Sequence, residues 1–167
     1  MRYLTIVRHA KATPAVAGAS DFDRALSARG VSQCAQLRAW ANDPEELGRF
    51  GPSVALVSAA RRTQQTFEMA FDGTALVSSV EVTDAIYNGV RDVSADALLE
   101  ALARVDPLNA SLTLIAHNPS VLELLWMLTG EFAPEGFKTA GAYVVALVGE
   151  ERIDRCAYES VTRYVPD

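Results

Sequence analysis

Tyr3-Leu4-Thr5-Ile6-Val7-Arg8-His9-Ala10 is an apolar run of β-forming residues that ends in a cation and an imidazole. The same design recurs in Leu112-Thr113-Leu114-Ile115-Ala116-His117-Asn118-Pro119. The chain has two histidines, and each stands where such a run stops. A third run, Val54-Ala55-Leu56-Val57, ends before Ser58-Ala59-Ala60-Arg61-Arg62-Thr63-Gln64-Gln65-Thr66. In open α/β sheets, ligands bind outside the carboxyl ends of parallel strands. If the three runs are parallel neighbours, two imidazoles and several guanidiniums share one crevice. That set of groups suits an anion, and phosphate above all.

Outward from these runs, strand and helix patterns alternate. Residues 2–7, 54–57, 75–82 and 112–116 read as strands, and 141–148 and 152–164 as a final strand pair turning at Gly149-Glu150-Glu151. Ser27 caps a helix to about Ala41, with Val31, Cys34, Leu37 and Ala41 on one face. Another helix is expected near 60–71. Ser94 caps a third, with Leu98, Leu99, Leu102 and Val105 on its apolar face. Asn118 is expected to cap a fourth, with Pro119 at its first position, and that helix end would offer backbone N–H groups to an anion. Residues 10–25 lack any period and read as a long loop, which in a compact domain is often functional. The alternation predicts an α/β fold: one domain over 1–167, a three-layer αβα sandwich around a mainly parallel sheet with an antiparallel edge.

The composition is that of an ordinary globular chain: half of its residues are hydrophobic and 22% are charged. A formal net charge of -6 argues against a nucleic-acid partner. It leaves room for a locally positive pocket. Sparse cysteine (Cys34 and Cys156 alone) and a start that runs directly into a strand point to a cytoplasmic location with no membrane partner. No ligand spacing for zinc or calcium is present, so no metal or other cofactor is expected.

Phosphoryl transfer needs an in-line nucleophile and positive groups on the nonbridging oxygens. A neutral imidazole nitrogen can be that nucleophile, through a phosphohistidine intermediate. Guanidiniums beside it would also oppose its protonation. Here the residues carry a resemblance. Arg8-His9-Ala10-Lys11-Ala12 resembles the R-H-G signature of the histidine phosphatase superfamily, the phosphoglycerate-mutase-like fold. Asp23-Arg24-Ala25-Leu26-Ser27-Ala28-Arg29-Gly30 resembles its D-x-R-P-L-[ST]-x-x-G stretch. Ser58 to Thr66 resembles S-P-x-x-R-x-x-Q-T, and Ala116-His117-Asn118-Pro119 resembles G-H-N-P. The short length and the R-H-A-K-A form look most like the small bacterial phosphohistidine phosphatase branch. The resemblance implies His9 as phosphoryl acceptor, with Arg8, Arg62 and His117 completing the phosphate pocket.

The segments depart from the family pattern at Ala10, Ala116, Ala59 and Ala25, where glycine or proline is usual. An added methyl at 10 or 116 would force an adjustment if glycine's freedom were used there. Many superfamily members place an acid after the third strand. Asp84 is the candidate by position, with Glu81 behind it, although members of this branch commonly lack a dedicated acid. Lys11, Arg24 and Ser58 are expected at the pocket rim. Arg61 should point away from Arg62 on a helix, and would take its role if the alignment slipped by one residue. The expected activity is that of a metal-independent phosphatase, and the resemblance implies phosphohistidine in proteins as its substrate. The alternatives are hydrolysis of small phosphomonoesters and a phospholigand-binding module without turnover.

Overall fold

The computed structural model describes residues 1–89, 93–133 and 135–167. Strand β1 (Arg2–Arg8) leads through the loop to helix α1 (Ala28–Asn42). After a 3-10 turn at Leu47–Phe50 come β2 (Ser53–Ser58), α2 (Arg61–Ala70) and β3 (Val77–Thr83). Helix α3 (Ala95–Val105), β4 (Ser111–Ala116) and α4 (Ser120–Thr129) follow. The chain closes with β5 (Ala142–Val148) and β6 (Ala157–Tyr164). No helix among the described residues is long and apolar enough to cross a membrane.

The six strands form one sheet in the order β3-β2-β4-β1-β5-β6. β1, β2, β3 and β4 are parallel, while β5 runs antiparallel to both β1 and β6. The runs that end at His9, His117 and Ser58 are therefore direct neighbours. The connection from β1 leaves toward β2, and that from β4 leaves toward β5. The crevice between β1 and β4 is the point where the strand order reverses, the place where open α/β sheets bind ligands.

Period-two alternation sends the strands' side chains into two apolar layers. Leu4, Ile6, Leu112, Leu114 and Ala116 pack with Leu98, Leu102, Leu124 and Leu125 of α3 and α4. Val7, Ala55, Val57 and Ile115 pack on the other face with Cys34 and Leu37 of α1 and Phe67 of α2. Burial on both faces explains why these strands read as nearly continuous apolar runs.

Local signals hold at two helix starts. The Ser27 hydroxyl accepts from the Gly30 amide, and that of Ser94 from the Ala97 amide. Two boundaries differ from expectation. Asn118 does not cap α4: its amide donates to the Phe137 carbonyl at 3.1 Å, the Asn118–Pro119 peptide is cis, and the helix begins at Ser120. A tertiary partner thus takes the side chain that a local cap would have used. The last strand starts at Ala157, not near 152, because Ile153–Arg155 form a 3-10 turn. Ile153 is fully buried and its amide donates to the Asp106 carboxylate at 2.6 Å, so packing under α3 overrides strand pairing there.

Candidate active site

β1 and β4 pair in register at Arg8 and Ala116, so His9 and His117 leave adjacent strands side by side. The His9 amide continues the ladder by donating to the Ala116 carbonyl at 3.1 Å. The two imidazole centroids lie 5.1 Å apart. Helices on the α1/α2 face fasten the turn that follows: the Ala10 amide donates to Thr66 Oγ1 at 3.0 Å, and the Lys11 amide to Gln33 Oε1 at 2.9 Å. Gly30 lets α1 approach this turn, since a β-carbon there would overlap the Lys11 carbonyl.

His9 is 9% exposed, and its Nδ1 lies 2.7 Å from the Ala10 carbonyl oxygen. A carbonyl can only accept, so Nδ1 carries the hydrogen and Nε2 keeps its lone pair. Burial pushes the His9 pKa down to about 4, helped by the charges of Arg62, Arg8 and Arg24 against the opposing Ala10 hydrogen bond. At neutral pH the ring is an uncharged imidazole with one free nucleophilic nitrogen.

His117 is 2% exposed, and burial and then His9 push its pKa down to about 2. Its Nε2 lies 2.8 Å from Ser58 Oγ, while Nδ1 is buried with no protein partner among the described residues. With the Ser58 hydroxyl donating to Nε2, the neutral ring carries its hydrogen on Nδ1, where a ligand can accept it. Ser58 is fully buried, so it lies on the floor of the site and not at the expected rim.

The guanidiniums are held differently. Arg8 donates to the Phe137 carbonyl at 2.7 Å, which also receives Asn118, and its buried Nε has no partner among the described residues. Arg62 is 5% exposed and donates to the Asp21 carbonyl at 2.8 Å and to the Asp21 carboxylate at 3.1 Å. Arg61 is exposed, which settles which of the adjacent arginines faces inward. Arg24 donates to the Thr13 carbonyl at 2.9 Å and to the other Asp21 oxygen at 2.8 Å.

Asp21 and Tyr87 complete the site, and neither was marked by the sequence. The Tyr87 hydroxyl donates to Asp21 at 2.8 Å, and its ring stands edge-on to His117 with centroids 5.7 Å apart. Arg62 lies 5.9 Å from the centroid of the same ring. Despite some burial, the bonds from Tyr87, Arg24 and Arg62 hold the Asp21 carboxyl down to about 2. The Asp84 carboxylate is exposed in the turn after β3 and takes no part in this hydrogen-bonded set. Lys11 is exposed, and its ammonium makes no ion pair among the described residues. Ala10 and Ala116 are fully buried without left-handed backbone, so the glycine freedom of the family pattern is not used here.

The arrangement offers an uncharged imidazole that feels the charges of Arg62 and Arg8, with a second imidazole 5.1 Å away; these are the kinds of group that phosphoryl transfer needs. Arg8 Nε and His117 Nδ1 have no protein partner among the described residues, and buried polar atoms are normally met by protein, water or ligand.

No family model matches this chain, and no curated protein matches it. Solved structures do. A provisionally assigned phosphohistidine phosphatase SixA from Agrobacterium tumefaciens is 26% identical, with a TM-score of 0.78 and coverage of 99% of each chain. The protein histidine phosphatase SixA solved with tungstate is 25% identical, with a TM-score of 0.75 over 96% of this chain and 95% of that one. A SixA of the same provisional assignment from Nakamurella multipartitia is 23% identical and shares the fold at a TM-score of 0.76, covering 99% of this chain and 96% of that one.

Proposed function

We propose, for a chain that is a histidine phosphatase by fold, that it hydrolyses phosphohistidine in proteins through its own phosphorylated His9. The observation that carries this reading is the Nδ1 hydrogen bond of His9 to Ala10, which leaves Nε2 free and uncharged among guanidiniums. In the first step the Nε2 lone pair forms a bond to phosphorus as the substrate's bond to phosphorus breaks. Arg8, Arg62 and the Nδ1–H of His117 hold the nonbridging oxygens, where charge gathers in the transition state. In the second step water attacks phosphorus. The electron pair of the N–P bond returns to Nε2, water's surplus proton goes to solvent, and inorganic phosphate leaves. Throughout, Nδ1 keeps its hydrogen on the Ala10 carbonyl. The departing group is then a neutral imidazole, and the second step needs no separate acid.

The SixA likenesses at 26% and 25% identity support the phosphohistidine class, and the tungstate bound by one of them is a phosphate-like oxyanion. The test is phosphate release from a phosphohistidine protein and from a panel of phosphomonoesters, with wild type and His9→Ala together. His9-dependent release, faster from phosphohistidine, is expected. Faster release from esters would assign a small-molecule phosphatase. Binding of phosphate without any release would assign a binding module.

A further inference from the structure

The active site contains a carboxylate that a phosphate pocket does not obviously want. Asp21 sits against the fork of Arg62, with its backbone oxygen on one terminal nitrogen and its carboxylate on the other. Its charge opposes a dianionic phosphate. It cannot serve as a proton donor near neutral pH, because Arg24, Arg62 and Tyr87 all donate to it and hold it ionised. It is also the open member of the set: its side chain is 42% exposed, against 6% for that of Arg62. One oxygen, Oδ1, receives only Arg24 among the described residues and retains accepting capacity.

Phosphoimidazole chemistry gives such a group a use. When the P–N bond breaks, its electron pair goes to the ring nitrogen. If the remote ring nitrogen already carries a proton, the ring departs as neutral imidazole. Acid assistance then acts at the far side of the ring, and the reacting nitrogen needs no donor. His9 shows the same arrangement in this protein, with its remote N–H resting on the Ala10 carbonyl.

Resting on the phosphohistidine reading, we infer that Asp21 is the specificity-determining residue for an N-phosphorylated imidazole, its carboxylate accepting the hydrogen bond of the substrate's remote ring N–H. The contact favours the protonated substrate ring and so favours departure of neutral imidazole. An alkyl or aryl ester has no remote N–H and gains nothing from it.

The experiment compares kcat/KM for phosphoimidazole and for p-nitrophenyl phosphate in wild type, Asp21→Asn and Asp21→Glu. Asparagine preserves an acceptor for Tyr87 and removes the charge, and circular dichroism checks that the variant folds. Asp21→Ser replaces it if asparagine disturbs the loop. The ratio of P–N to ester activity should fall about tenfold to a hundredfold in Asp21→Asn, the range for one charge-assisted hydrogen bond. It should recover in part in Asp21→Glu. An equal fall on both substrates would overturn the inference and leave Asp21 as a residue that positions Arg62. Wild type that cleaves the ester but no phosphoimidazole would instead overturn the phosphohistidine reading itself, and this inference with it.

Discussion

Acid should destabilise this protein through its active site before its carboxylates begin to titrate. Above about pH 6.5 the folded and unfolded chains both carry neutral imidazoles. Below it the unfolded chain takes up protons that the folded chain refuses, because His9 and His117 have pKa values pushed down to about 4 and about 2. Stability therefore falls as pH drops below 6.5, until each folded-state pKa is reached. Between pH 7 and pH 5 each imidazole should remove about 2 kcal/mol, and the pair about 4 kcal/mol. Asp21 contributes in the opposite window: its depressed pKa adds stability above the ordinary carboxylate range, and that gain is lost only as pH falls toward 2. Urea unfolding at pH 7 and pH 5 reads the difference directly. His9→Gln and His117→Gln should each lose about half of the wild-type fall, whatever they do to stability at pH 7. A fall in both variants as large as in wild type would refute the reasoning, because the refused protons would then belong to other groups.

Three further outcomes follow from the packing. Ser58→Ala removes the only hydrogen-bond partner of His117 Nε2 among the described residues. It should lower kcat about tenfold, less than loss of a transition-state donor outright, and shift the His117 tautomer as read by nitrogen NMR. Gly30→Ala drives a methyl into the Lys11 carbonyl. It should destabilise by about 1–3 kcal/mol in thermal unfolding and reduce activity by moving the turn after His9. Asp106→Ala leaves Arg2 buried and unpaired at the opposite end of β1, where the Asp106 side chain is fully buried. Its cost should be about 3–5 kcal/mol in denaturant unfolding, with activity per folded molecule retained.

What the sequence made legible was local. The strand exits at His9 and His117 announced themselves because both are flanked by runs buried on both sheet faces. Ser27 and Ser94 were readable as caps because each bonds an amide three residues on. The unreadable parts depend on distant partners. Asp21 lies in an aperiodic loop, and its bonds reach Arg62 and Tyr87, 41 and 66 residues away in sequence. Asn118 had a good cap sequence, but the Phe137 carbonyl claimed its side chain. Ser58 was expected at the pocket rim, but the pairing of β2 with β4 sets its buried hydroxyl on His117. Asp84 stood where an acid belongs by position, yet the same segment reaches the site through Tyr87.

The most direct test of the account is the trapping of phosphorylated His9. Wild type mixed with a radiolabelled phosphohistidine protein and quenched in alkali within milliseconds should carry acid-labile, base-stable label, mapped by mass spectrometry to His9. His117→Ala should still acquire it, more slowly, and His9→Ala should acquire none. Phosphate released at the wild-type rate with no label on the enzyme, or with label on another residue, would contradict the assignment of His9 as nucleophile.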